Sequence, residues 1–191
     1  ENGVENGRAI GGSGWNVTDG ASANVNATPG PHPNTTGSVI SFDGTTNERI
    51  FQRTYGYGDG EELTASVWIR LRSGNPGSTF LTLFGDISGS KPIEPDDEWR
   101  RFEVTETTTS ADPTVTWQLR CESQATFEVW GAQIESRYHA TSFIDKGTSR
   151  PYGRWNVSAD VIDWKSSWAI GMWVKRASPK LSSTRVPIFS T

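Results

Sequence analysis

One cysteine, Cys121, one methionine and two histidines are all that this 191-residue chain holds of the side chains that most often carry redox or metal chemistry. A single thiol can form no disulfide within the chain and supplies no cysteine metal site, so neither redox compartment is excluded. His32 lies in a proline loop and His139 between Tyr138 and Ala140, without the helical pairing of a zinc protease. Long hydrophobic runs are missing too. No stretch approaches the ~18 apolar residues of a membrane helix, and the amino terminus has no charged-then-apolar leader, so no membrane insertion is expected. The polar, glycine-rich opening "ENGVENGRAIGGSG" has no initiating Met and reads as a segment of something longer.

Positive charge is not in excess. Eighteen Lys and Arg against 22 Asp and Glu leave a net charge of −4, and the basic residues are scattered, which argues against nucleic acid as a partner. No phosphate loop, nucleophile elbow or dinucleotide fingerprint occurs. Glu94, Asp96 and Glu98 spell an E-x-D-x-E pattern that would place three carboxylates on one strand face, as in some sandwich-fold glycoside hydrolases. Pro95 and Asp97 then stand where side chains should enter the core, so a polar turn before Trp99 is the expectation, and no enzyme. Sequons at Asn16, Asn26, Asn34 and Asn156 are what chance gives in a chain rich in Asn and Thr.

A sustained helical period is also absent, and what is present is strand. Runs rich in Val, Ile, Thr, Phe and Trp recur between clusters of Gly, Pro, Asn and Asp. In "ELTASVWIRLRS", Leu63, Ala65, Val67, Ile69 and Leu71 fall on one face and Thr64, Ser66, Trp68, Arg70 and Arg72 on the other. "STFLTLFG", "WRRFEVTETT", "TVTWQLRC" and "ATFEVWGAQIE" give further strands; the third puts Val115, Trp117, Leu119 and Cys121 on a core face. "NATPGPHPNTTG" is too proline-rich for an interior strand and reads as a loop. The expected class is all-β, an antiparallel sandwich. It divides into a linker over 1–11, a domain over 12–146, a second linker over 147–156 and the first strands of another sandwich over 157–191, "SWAIGMWVKRAS" and "RVPIFST" among them.

The succession "GWNVTDG", "RIFQRTYGYGDGEELTASVWIRLRSG", "DDEWRRFEVTETT", "FEVWGAQIE" and "HATSFI" resembles the carbohydrate-binding-module-like jelly roll of bacteriophage tail and appendage proteins. The strongest part is the closing signature, Trp130 to Glu135 followed by Ala140 to Ile144. Residues 157–191 are similar to the opening of a concanavalin A-like sandwich. The resemblance implies a virion location in a tail fibre or receptor-binding appendage, a homotrimer, contacts with other virion proteins, and a host cell-surface glycan as a ligand. Its alternatives are a purely structural decoration or adaptor protein, or the non-catalytic part of a polysaccharide-degrading enzyme.

Two groups of residues follow as candidates. Gln133 and Glu135, two apart on one strand face after Gly131, are expected to hold a structural seam where the chain crosses to its last strand. Trp68, Arg70, Trp130, Tyr55 and Tyr57 are the candidate glycan platform, because indole and phenol rings stack on the apolar faces of sugars. The competing reading is that these rings pack against loops, another domain or another subunit. No cofactor is expected. A structural calcium is common in related binding modules, and Asp19, Asp43 and Glu135 are available as oxygen donors, though nothing in their spacing requires it.

Overall fold

Ten strands in two five-stranded sheets make up the computed structural model, which describes residues 3–18, 20–45, 48–85, 88–110 and 113–144. In chain order they are β1 (Asn16–Val17), β2 (Ala21–Pro29), β3 (Thr36–Phe42), β4 (Arg49–Thr54), β5 (Glu62–Gly74), β6 (Thr79–Gly85), β7 (Ser88–Ile93), β8 (Arg100–Thr107), β9 (Val115–Cys121) and β10 (Ala125–Glu135). One sheet has the order β1-β4-β9-β6-β7 and the other β2-β3-β10-β5-β8, every pairing antiparallel. This is an all-β jelly-roll sandwich. The chain divides after Arg150, and the expected linker and second sandwich at 147–156 and 157–191 lie outside the described residues.

Alternation builds the core. Leu63, Ala65, Val67 and Ile69 of β5 are fully buried against Val115, Trp117, Leu119 and Cys121 of β9, with Leu71 partly buried at the rim. Trp117 meets Trp15 edge to face at 5.2 Å and donates its indole N–H to the Ser66 carbonyl at 3.3 Å, so the largest core ring also satisfies its one polar atom. The lone thiol of Cys121 is equally enclosed.

Two expectations need correction. Residues 3–11 are part of the domain and not a linker: Val4 and Ile10 are fully buried, Gly3 donates to the Ile134 carbonyl at 3.0 Å, and Ala132 donates to the Gly7 carbonyl at 2.9 Å. Gln52, buried on β4, fastens the same segment by accepting from the Glu5 amide and donating to the Glu5 and Gly14 carbonyls. A buried amide with all its capacity used this way costs little to enclose. The proline-rich stretch is not wholly a loop either. Asn26 to Pro29 complete β2, an edge strand whose register shifts between Asn24 and Thr28, with Asn26 at a φ of 54°. Proline is tolerated there because an edge strand leaves one side of its backbone unpaired. The loop proper is the short turn 30–35.

Candidate functional site

The outer faces of the two sheets differ in one respect: the chain covers one of them with itself. On the β2-β3-β10-β5-β8 sheet, Gly131 at a φ of 69° forms a bulge between Trp130 and Gln133, re-aiming the end of β10. Beyond β10 the chain folds back over that face. Thr64 donates to the Arg137 carbonyl at 2.5 Å, Thr105 to the Tyr138 carbonyl at 3.3 Å, and Ala140 to the Glu103 carboxylate at 2.9 Å. Gln133 and Glu135 hold the fold-back. Glu135 accepts from the Thr141 amide at 2.7 Å, from the Thr141 hydroxyl, and from the Gln133 amide at 2.5 Å. Gln133 in turn donates to the Thr141 carbonyl at 3.1 Å and accepts from Ile144 at 3.3 Å. Gln133 is 0% and Glu135 2% exposed.

The same cover takes up the rings that the sequence singled out as a platform. Trp68 and Trp130 stand opposite each other across β5 and β10, as alternation requires. His32, from the 30–35 turn, meets Trp68 edge to face at 5.3 Å and Trp130 at 5.2 Å, and Phe143 packs on Trp130 at 4.8 Å. Trp130 is left 3% exposed and Trp68 half-buried. Arg70 ion-pairs with Glu128 and lies over the Trp99 ring at 5.1 Å. The expected platform is thus corrected: its rings form a closed aromatic layer, because a turn 36 residues upstream of Trp68 and a tail beyond β10 dock on them. Tyr55 and Tyr57 are elsewhere. They line a cleft of about 480 Å³ at the end of the sandwich with Glu5, Gln52, Arg53 and Ser136; Tyr55 is exposed, and Tyr57 hydrogen-bonds Thr54 at 3.1 Å. They do not join Trp68 and Trp130 in one site.

The described residues leave the face of the other sheet uncovered, and here the register assembles a group that the sequence reading passed over. Phe51 of β4 stands opposite Gln118 of β9, which stands opposite Thr82 of β6. One row on, Arg53, Thr116 and Phe84 align; one row back, Arg49, Arg120 and Phe80. Residues directly opposite in antiparallel strands share a face, so these nine side chains form a grid about two strand spacings, ~9.5 Å, across. Thr116 and Gln118 make a floor at 6% and 8% exposure, walled by Phe51 and by Phe84, which is 57% exposed. The resulting groove, about 190 Å³, is lined also by Arg49, Arg53, Gly85 and Thr114. Arg53 lines both this groove and the tyrosine cleft.

Arginine and phenylalanine are interleaved on that face. Arg49 and Arg53 lie 5.6 and 6.0 Å from the Phe51 ring centre, and Arg120 lies 4.6 Å from that of Phe80. Such stacking holds a guanidinium flat while leaving its in-plane donors available. The arrangement can bind: rings for an apolar face, a polar floor for hydroxyls, cations at the border. The signal was present in "RIFQRT" and "STFLTLFG", where Arg49, Phe51 and Arg53, and Phe80 and Phe84, alternate with core residues. It was hidden because large apolar rings on the outer face read as ordinary strand composition.

The other candidates are placed as follows. Glu94, Asp96 and Glu98 lie in the segment before β8, where Arg100 pairs with Asp96 at 2.5 Å and approaches Glu98 at 4.0 Å. Of the calcium donors, Asp19 is outside the described residues, Glu135 is occupied at the seam, and Asp43 accepts from the Thr45 amide at 2.9 Å beside Glu48. The Asp43 carboxyl is held below its ordinary value, chiefly by the contact with Glu48 and next by the Thr45 amide. Among the described residues no cluster of three or more His, Cys, Asp or Glu is placed to hold a metal, and no helix is long and apolar enough to cross a membrane.

No protein-family model and no curated protein sequence matches the chain. Solved structures do resemble it in fold. The CBM22-1-CBM22-2 tandem of Xyn10C from Paenibacillus barcinonensis superimposes with a TM-score of 0.53 at 10% identity, over 71% of this chain and 46% of that one. The CBM22-1-GH10 modules of endo-1,4-beta-D-xylanase 10B from Clostridium thermocellum, in complex with xylohexaose, give 0.51 at 13% identity, over 71% of this chain and 28% of that one. The enzymatically active domain of tailspike protein 4 from bacteriophage CBA120 gives 0.51 at 11% identity, over 70% of this chain and 21% of that one. This chain therefore shares the jelly-roll fold of carbohydrate-binding modules and of a phage tailspike domain, and spans less than half the length of each.

Proposed function

We propose that this chain is a non-catalytic, glycan-contacting module, and that its contact surface is the open face of β4, β9 and β6. One observation carries the reading: of the two outer faces, this one is left uncovered by the described residues and sets the exposed Phe84 ring and the half-buried Phe51 ring beside an amide and hydroxyl floor. Sugars present both an apolar ring face and a rim of hydroxyls, so a groove that binds them needs both kinds of surface. Fold likeness to carbohydrate-binding modules, one of them in a structure with a bound xylo-oligosaccharide, supports a saccharide as the ligand class.

The biological setting we infer is a bacteriophage virion, as part of a tail fibre or receptor-binding appendage that meets a host cell-surface glycan. The closing signature from Trp130 to Ile144 and the tailspike likeness support it. A homotrimer is the assembly expected there, and the mass of the full-length protein in solution tests it; a stable monomer counts against the appendage reading. Binding is tested on a glycan array with Phe84→Ala. Loss of binding with the unfolding midpoint unchanged supports the site, since an exposed ring contributes little to stability. Binding that survives both Phe84→Ala and Phe51→Ala places the contact elsewhere.

A further inference from the structure

The charge on the open face narrows the ligand beyond a glycan in general. We infer, resting on the glycan-contact reading above, that the saccharide bound there is acidic, carrying carboxylates along its chain. Two guanidinium groups, Arg49 and Arg53, line one groove and a third, Arg120, stands opposite Arg49 on the same face, in a protein whose net charge is −4. Among the described residues neither Arg49 nor Arg53 has a carboxylate within ion-pair distance. Arg120 reaches Glu122 at 3.4 Å, and Glu122 itself is more than a third exposed. The Nε atoms of Arg49 and Arg120 are buried without an acceptor.

Three of the other described arginines meet carboxylates. Arg70 and Arg72 both approach Glu128, Arg100 meets Asp96, and Arg101 donates to Ser66 at 2.9 Å. What sets the groove apart is that two guanidinium groups without a carboxylate, Arg49 and Arg53, line the same concavity. Guanidinium presents a planar fork that fits a carboxylate with two parallel hydrogen bonds, and stacking on Phe51 and Phe80 holds these forks in fixed planes. The geometry suits a polymer whose acidic groups recur: Arg53 at one border and Arg49 with Arg120 at the other are separated along β4 by four residues, about 13 Å. A neutral glycan would use the phenylalanine walls and the Gln118 floor and leave Arg49 and Arg53 without a carboxylate.

The test is direct binding of the full chain to polygalacturonate, hyaluronate and polysialic acid, with xylan and dextran as neutral probes, and with carboxyl-reduced forms of each acidic polymer. The expected result is binding of at least one acidic polymer that falls about tenfold or more on carboxyl reduction and on Arg53→Ala, and that weakens as salt rises. Glu122→Gln, which frees Arg120 from its carboxylate, should tighten the same binding. Binding of xylan or dextran that depends on Phe84 and is indifferent to Arg53 overturns the acidic ligand while keeping the glycan reading. Binding of none of these polymers, acidic or neutral, by a chain with wild-type melting overturns the acidic ligand and removes support from the glycan reading as well.

Discussion

Replacing Glu135 with alanine isolates the device that closes one face of the sandwich. The carboxylate is 2% exposed and gathers three donors: the Thr141 amide, the Thr141 hydroxyl and the Gln133 side-chain amide. They do not lose equally. Gln133 keeps one N–H on the Thr141 carbonyl but loses the acceptor of the other, and the hydroxyl can rotate toward another acceptor, so the Thr141 backbone N–H and one Gln133 N–H are the donors left without one. An orphaned buried donor costs about 1 to 3 kcal/mol. For a domain of this size, 1 kcal/mol shifts the midpoint by roughly 2 to 4 °C, so a fall of about 2 to 12 °C for each orphaned donor is expected by calorimetry. Glu135→Gln should fall within the same range despite its matched size, because its amide brings a donor into a place already supplied with donors. A midpoint within ~1 °C of wild type, combined with lost ligand binding, would show that Glu135 serves a ligand and not the seam.

Gly131 tests the bulge that starts the fold-back. At a φ of 69°, with a Cβ placed 3.3 Å from the Phe143 ring and 3.5 Å from Trp68, Gly131→Ala should cost about 1 to 3 kcal/mol in urea unfolding, mostly as backbone strain. A neutral substitution would mean the bulge relaxes freely. Asp43 gives a pH dependence. Its folded value lies below the ordinary 3.8, so the stability it contributes is present above that pH and is lost as pH falls through the folded value. The gap in melting temperature between wild type and Asp43→Asn should accordingly be open at pH 6 and close in strong acid; a gap that widens with acid would reverse the sign of the contribution.

Periodicity made the sandwich legible in the sequence. The core faces of β5 and β9 could be read residue by residue because a strand buried on one side repeats every second position, and Leu63 to Ile69 and Val115 to Cys121 keep that period without interruption. Gln133 and Glu135 could be read as a pair because amide and carboxylate on one face next to a glycine are hard to enclose except as mutual partners. Three features had no such local signal. The 3–11 segment enters the core through two separated apolar residues and through bonds to Gln52, Ala132 and Ile134, all distant in sequence. The 26–29 stretch pairs only on one side, so its proline and asparagine suggested a loop. The cover over Trp68 and Trp130 comes from His32 and Phe143, and alternation within β5 reports which way an indole points but not what meets it there.

That last distinction explains why the candidate site moved from one sheet to the other. Alternation places large rings outward on both sheets: Trp68 and Trp130 on one, Phe51, Phe80 and Phe84 on the other. On the tryptophan face His32 and Phe143 take ring surface out of water, which favours a cover there. The chain covers that face, and Gln133, Glu135, Thr64 and Glu103 meet backbone groups of the covering segment, while the Trp130 indole N–H is left buried without an acceptor. On the phenylalanine face the floor is Thr116, Gln118 and Thr82, and arginines stand at the border. A segment laid over those guanidinium groups would have to supply carboxylates or leave charge buried without a partner, which is far costlier than leaving the face in water. The same arginines that disfavour a cover by the described residues are the groups that an acidic partner would satisfy.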